Sequence, residues 1–199
     1  PEGARVYYRL ADEAAARRLV RALTDVADSA DPTVGRDRER LQAVKDAHAK
    51  TAERYFAVNA GDWDVIRSLH VPELAVETAM REAVGTRPFG SFLDLGTGTG
   101  RLLELFAPLY QRGVGVDLST AMLAVARTNL SRAGVTHAQI RQGDIYNLNL
   151  PRDSFDLVTI HQVLHYLDDP ARAIAEAARV LRPGGRLLVV DFAPHELEF

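Results

Sequence analysis

The stretch LDLGTGTGR, residues 93–101, carries a short apolar run with an acid at Asp94 into glycines at 96, 98 and 100. A strand that stops in a glycine-rich turn before a helix aims backbone N–H groups at a ligand, because glycine admits close approach and a helix start leaves amides unpaired. The dinucleotide fingerprint G-x-G-x-x-G would need glycine where Arg101 stands. Asp94 narrows the ligand further. A carboxylate near a bound pyrophosphate is repelled by roughly 4 kcal/mol per charge pair at about 4 Å and an effective dielectric of about 20, whereas an ammonium or sulfonium is attracted. The loop and Asp94 therefore suit a cationic, phosphate-free ligand. The competing readings are a bare strand-to-helix turn and an acid that only caps it.

Outward from this loop, strand-like and helix-like segments alternate. SFLDLG (91–96) precedes RLLELFAPLY (101–110), in which Leu102, Leu105, Phe106 and Leu109 recur at helical spacing. GVGVDL (113–118) reads as a second strand, followed by a helix capped by Ser119 and closed by Gly134. AQIRQGDI (138–145) reads as a third strand and FDLVTIHQVL (155–164), apolar without clean alternation, as a buried fourth. A helix with Pro170 in its first turn and a Gly184-Gly185 stop leads to a fifth strand, RLLVVDF (186–192). The pattern predicts an α/β fold, a Rossmann-like doubly wound parallel sheet. Ligands of such sheets sit at the carboxyl ends of the strands, where Asp94, Asp117, Asp144, His161 and Asp191 all fall.

Asp117 ends the second strand, about 20 residues beyond the loop, where a carboxylate accepts ribose hydroxyls. NAD-binding folds use the same device, and a helix-capping acid is the plain alternative. Gly143, Asp144 and Ile145 close the third strand, where an acid can accept from an adenine amino group and an aliphatic chain can pack on the ring. Gly-Asp is also a common turn. His161 and His165 lie four apart at the end of the fourth strand, with no carboxylate cluster at ligand spacing, so no metal site is expected. A general base is the chemical reading, since imidazole titrates near neutrality, and a hydrogen-bonded core histidine is the plain one. His195 and Asp191 are secondary candidates.

The first 85 residues differ. Residues 11–29 are alanine-rich and helical, Asp31-Pro32 breaks them, and residues 35–60 form a charged helix with Leu41, Val44, His48, Thr51 and Tyr55 at helical spacing. Pro72 opens a third helix ending near Gly85. The boundaries expected are 1–30, 31–85 and 86–199. The 199 residues are 47% hydrophobic with net charge −3, which argues against a bulk electrostatic partner such as nucleic acid or anionic membrane. No apolar run approaches a membrane span, and a cytoplasmic protein is expected. The absence of cysteine excludes disulfides, thiolate metal sites and a cysteine nucleophile from these residues.

The series L-D-L-G-T-G-T-G-R, V-D-L-S-x-x-M-L, G-D-I, F-D-L-V and V-L-R-P-G-G-R-L-L-V-V-D resembles the class I S-adenosylmethionine-dependent methyltransferases across residues 91–192. The resemblance implies S-adenosylmethionine as cofactor and S-adenosylhomocysteine (SAH) as product. Asp94, Gly96, Thr97, Gly98 and Gly100 would hold the methionine part, Asp117 the ribose with Leu118 and Met122 nearby, and Gly143, Asp144 and Ile145 the adenine. His161 would lie by the sulfonium or the substrate. Residues 52–73 resemble the lid helices of small-molecule methyltransferases, with Tyr55, Phe56 and Trp63 closing over the ligands. Ordinary helix packing is the alternative. Complete domains of the family add two strands after the fifth, so the natural protein is expected to continue past Phe199.

EGARVYYRLA, near the start, resembles the second wing strand of winged helix-turn-helix repressors of the arsenic-repressor (ArsR) family, and the helix after it resembles that family's dimerisation helix. This implies a regulator fusion that forms a homodimer through its N-terminal helices and reaches DNA only through helices absent from this chain. The function expected is methyl transfer from S-adenosylmethionine to a small-molecule acceptor within such a regulator. The alternative is a transcription regulator whose methyltransferase-like domain only senses the cofactor or a metabolite.

Overall fold

A computed structural model describes residues 14–26, 31–61, 63 and 73–193. Contacts divide the chain into two compact units, Pro1–Ala47 and His48–Phe199. The expected wing strand and His195 lie outside the described residues.

In the first unit, α1 (Ala14–Val26) leaves Leu19 and Leu23 exposed. Asp31-Pro32, expected as a break, is a start signal for α2 (Pro32–Asn59), whose residues from His48 onward belong to the second unit. The Asp31 carboxylate accepts from the Thr33 amide at 2.7 Å, and Pro32 occupies the first helical position, where a missing N–H costs nothing. The stripe read on this helix is exposed at Leu41, Val44 and Tyr55.

The second unit contains α3 (Glu73–Val84), β1 (Phe89–Leu95), α4 (Arg101–Leu105), β2 (Tyr110–Asp117), α5 (Thr120–Arg132), β3 (Ala138–Gln142), β4 (Phe155–His161), a 3-10 turn (Leu164–Tyr166), α6 (Pro170–Val180) and β5 (Leu181–Val190). The five strands are parallel in the order β3-β2-β1-β4-β5, the α/β Rossmann-like architecture expected. Strand β1 lies at the centre because its side chains are apolar on both faces, and alternate residues serve different cores. Phe92 packs with Met80 and Val84 of α3, Leu103 of α4 and Leu130 of α5. Leu93 and Leu95 pack with Val116, Val158, Ile160 and, from α6, Ala177 and Val180. Fully burying such side chains contributes about 1.5–3 kcal/mol each, more than the roughly 0.5–1 kcal/mol of side-chain entropy that a leucine loses on ordering.

Three boundaries differ from expectation. Helix α4 ends at Leu105 rather than running to Tyr110, because Pro108 disfavours helix in the residue before it and Tyr110 already pairs with Phe89 in the sheet. Strand β3 ends at Gln142, and Asp144 turns the chain by accepting from the Tyr146 amide at 2.8 Å. Gly184-Gly185 does not stop the preceding helix, which ends at Val180. Leu181 pairs with Phe155, the register then shifts, and the ladder resumes at Arg186 opposite Leu157. Among the described residues no helix is long and apolar enough to cross a membrane.

Candidate functional site

The parallel sheet brings the carboxyl ends of β1, β2 and β4 together around a cavity of about 240 Å³. Asp94 on β1 stands opposite Gly115 of β2 and Thr159 of β4, and it is 2% exposed. Its two oxygens accept from the hydroxyls of Thr97 at 2.7 Å and Thr159 at 2.6 Å. These charge-assisted bonds hold a buried anion that would otherwise be costly, and they fix its orientation on the cavity wall.

The glycine loop is built on the same strand ends. The amides of Gly96 and Thr97 both donate to the Val116 carbonyl, at 2.8 and 3.0 Å. The Gly98 amide donates to Asp117 at 2.9 Å, and the Asn129 side chain on α5 holds the Thr99 carbonyl at 3.1 Å. Gly96 has φ +70 and Gly98 φ +52, left-handed values that cost other residues about 1–2 kcal/mol.

Asp117 also accepts from the Ser119 amide at 2.9 Å, so both of its oxygens are held by backbone N–H groups. Burial pushes its carboxyl above the ordinary 3.8, against the opposing pull of the Ser119, Gly98 and Leu118 amides. The sign follows directly. A raised folded-state pKa favours the unliganded fold as pH falls, and that contribution is lost as pH rises through the folded pKa. An acceptor of ribose hydroxyls must instead be ionised. Affinity for a ligand whose hydroxyls this carboxylate accepts, measured by calorimetry from neutrality downward, is therefore expected to weaken at a pH above that of an ordinary aspartate, and the Asp117→Ala chain is expected to lack that step.

Eleven of the twelve residues expected to hold cofactor line this cavity: Asp94, Gly96, Thr97, Gly98, Asp117, Leu118, Met122, Gly143, Asp144, Ile145 and His161. The twelfth, Gly100, is not on the wall. It precedes the first residue of α4 and packs on Ala126, where a β-carbon would come within 3.2 Å. Of the expected lid aromatics, Phe56 and Trp63 line the cavity and Tyr55 stands behind them, its ring centroid 5.9 Å from that of Phe56 and 6.2 Å from that of Trp63.

The two histidines separate. His161 is on the wall, whereas His165 is not, because the turn after β4 directs it to Asp191 with Nδ1 2.6 Å from Oδ1. Burial would raise the Asp191 carboxyl, but the Phe192 amide, His165 and the Leu164 amide together hold it below the usual range.

Two further groups escaped the sequence reading. Glu77 on α3 grips Arg101 in a bidentate pair at 2.6 and 2.7 Å, although Arg101 also lines the cavity. Its signal was present, since Glu77 shares a helix face with the buried Met80 and Val84. Tyr166 lines the cavity from the 3-10 turn and had no periodic signal. Among the described wall residues Arg101 is the one Lys or Arg, against four aspartates, Asp94, Asp117, Asp144 and Asp168. That balance fits a ligand with positive charge and no phosphate. No metal-binding cluster of His, Cys, Asp or Glu occurs among the described residues.

Comparison with known proteins finds methyltransferases. Residues 93–189 match the family model described as a methyltransferase domain. The chain is 38% identical over 105 residues to the uncharacterised methyltransferase YcgJ of Bacillus subtilis, covering 52% of this chain and 42% of that protein. The YcgJ crystal structure superposes with a TM-score of 0.57 at 35% identity, over 60% of this chain and 52% of that one. A demethylmenaquinone methyltransferase of Deinococcus radiodurans is 36% identical over 82% of this chain and 66% of its own length. The DhpI–SAH complex superposes with a TM-score of 0.60 at 25% identity, covering 72% of this chain and 69% of that one. The chain thus spans about half of YcgJ and about two thirds of the Deinococcus enzyme.

Proposed function

We propose, from the methyltransferase domain at residues 93–189, that this chain binds S-adenosylmethionine and transfers its methyl group to a small-molecule acceptor. The observation that carries the reading is the pairing of a glycine loop with Asp94 and Asp117 at adjacent parallel strand ends. The donor set fits the cofactor, because a zwitterionic sulfonium without phosphate suits a wall of four aspartates and one guanidinium.

When bound, the cofactor supplies a methyl group already activated by a sulfonium leaving group. The protein's task is mainly to align the acceptor and exclude water. In this reading Asp94 and the glycine loop seat the methionine end, Asp117 accepts the ribose hydroxyls, and Asp144 and Ile145 receive the adenine. Phe56 and Trp63 close the acceptor side. His161, on the wall, takes a proton where the acceptor must lose one, and His165 acts from behind the wall.

Calorimetric titration with SAH, with NADH as control, tests the cofactor, and NADH binding in place of SAH would overturn the reading. Transfer of labelled methyl to a panel of quinols, phenols and amines tests turnover. The relatives named for quinone methylation favour including quinols. Arsenite is disfavoured as acceptor, since the chain has no thiolate to hold it.

The regulator fusion belongs to the same proposal, supported by the resemblance of residues 2–11 to a wing strand and by the exposed Leu19 and Leu23 of α1. It entails a cytoplasmic homodimer joined through the N-terminal helices, with DNA reached through helices outside this chain. Sedimentation velocity tests the dimer, and a monomer at high concentration would overturn it. SAH binding without methyl transfer would favour the sensing alternative.

A further inference from the structure

Tyr166 is the cavity residue that the sequence pattern leaves unexplained, and its surroundings are specific. Its ring meets that of His165 at a 45° tilt with centroids 3.9 Å apart, and Phe192 meets His165 edge-on at 5.2 Å. The Asp191 carboxylate organises the whole turn. It accepts from the amides of Val163 at 3.1 Å and Leu164 at 2.7 Å while its other oxygen holds His165. Gln162, just before the turn, sits at φ +54, a strained value that persists only when its surroundings impose it. The position of Tyr166 is therefore set by the end of β5.

In front of Tyr166 the cavity becomes aromatic. Phe56 meets Tyr166 at 5.0 Å and 78°, and meets Trp63 at 5.1 Å and 75°. Rings that stand nearly perpendicular form a corner. A flat conjugated ligand in that corner can stack on one face and present its edge to another, the two geometries that aromatic pairs prefer. An aliphatic ligand of the same size gains only the buried area.

We propose that Phe56, Trp63 and Tyr166 form an acceptor subsite for a planar conjugated ring bearing a hydrogen-bond-accepting oxygen or nitrogen, with the Tyr166 hydroxyl as donor and the His165–Asp191 pair as its positioning group. The proposal rests on the methyltransferase reading and assigns its acceptor class. Burial, then Tyr55 and Asp191, push the Tyr166 phenol above its ordinary pKa, so it stays protonated and able to donate at neutral pH. His165 does not reach the cavity wall and acts through Tyr166.

The probe is 4-fluorophenol, followed by fluorine NMR on the chain saturated with SAH, with phenol and cyclohexanol as competitors. Phenol is expected to displace it roughly tenfold better than cyclohexanol. Tyr166→Phe is expected to weaken 4-fluorophenol about fivefold, measured with each chain saturated with SAH. Trp63 is the single tryptophan of the chain, so its fluorescence checks that each variant keeps the corner intact. His165→Ala should weaken the probe in the Tyr166 chain and weaken it less in the Tyr166→Phe chain, which keeps the ring that His165 packs on but has lost the hydroxyl it positions. Equal competition by cyclohexanol, an unchanged Tyr166→Phe affinity, or additive losses would each overturn the proposal. Failure of SAH itself to bind would instead overturn the methyltransferase reading beneath it.

Discussion

Gly96→Ala is expected to lower stability by about 2 to 5 kcal/mol and to weaken SAH binding by more than about 100-fold. Two costs combine. The residue has φ +70, and a β-carbon there would overlap the side chain of Val163. Val163 cannot yield easily, since its amide is held by Asp191 and its neighbour Gln162 is bonded to the Val190 carbonyl at 2.8 Å. The substitution must therefore displace either the glycine loop or the turn that carries Tyr166, and both line the cavity. Gly98→Ala provides the contrast. Its φ is +52 but no atom lies within 4 Å of the added carbon, so a loss of about 1 kcal/mol is expected. Chemical denaturation and calorimetry on both variants check the pair, and equal effects would show that overlap with Val163 is unimportant.

Asp117→Ala is expected to weaken SAH binding by at least about 100-fold, since in the proposed role Asp117 makes two charge-assisted hydrogen bonds to the ribose. The effect on the fold should be smaller. The variant frees the amides of Gly98 and Ser119, a cost of order 1–3 kcal/mol, while removing a carboxylate that burial already disfavours. Affinity and stability should therefore separate, with binding lost in a chain that still unfolds cooperatively. Calorimetry beside thermal melting decides it, and affinity within tenfold of the parent would remove Asp117 from the ribose site.

Three of the wall residues read from the sequence mark the ends of strands. Asp94, Asp117 and His161 close apolar runs, and a parallel sheet places all such ends on one side. Gly143 to Ile145 were legible in the same way, although β3 stops earlier than its composition suggested and Asp144 works as a turn former. Helix limits were harder to read. RLLELFAPLY has helical periodicity to Leu109, but pairing of Tyr110 with Phe89 claims the last residue for the sheet. The Asp31-Pro32 pair was read as punctuation when its local chemistry makes it a cap.

What escaped the sequence was every contact between residues distant in the chain. Glu77 reaches Arg101 across 24 positions, and His165 reaches Asp191 across 26. Nothing in local spacing says that an acid on one helix will grip the residue that breaks a glycine fingerprint. The same gap explains why His161 and His165 looked equivalent. Four residues apart after a strand, they differ because one stays at the strand end and the other is captured by the next strand's acid.

By itself the sequence determined the parallel α/β architecture, the glycine loop and the acids at the strand ends, because periodicity and turn chemistry are local and repeat along the chain. The tertiary structure alone decided which of those groups share a wall and which stand behind it. It made Tyr166 a wall residue and His165 its support, since that choice depends on where β5 ends in space.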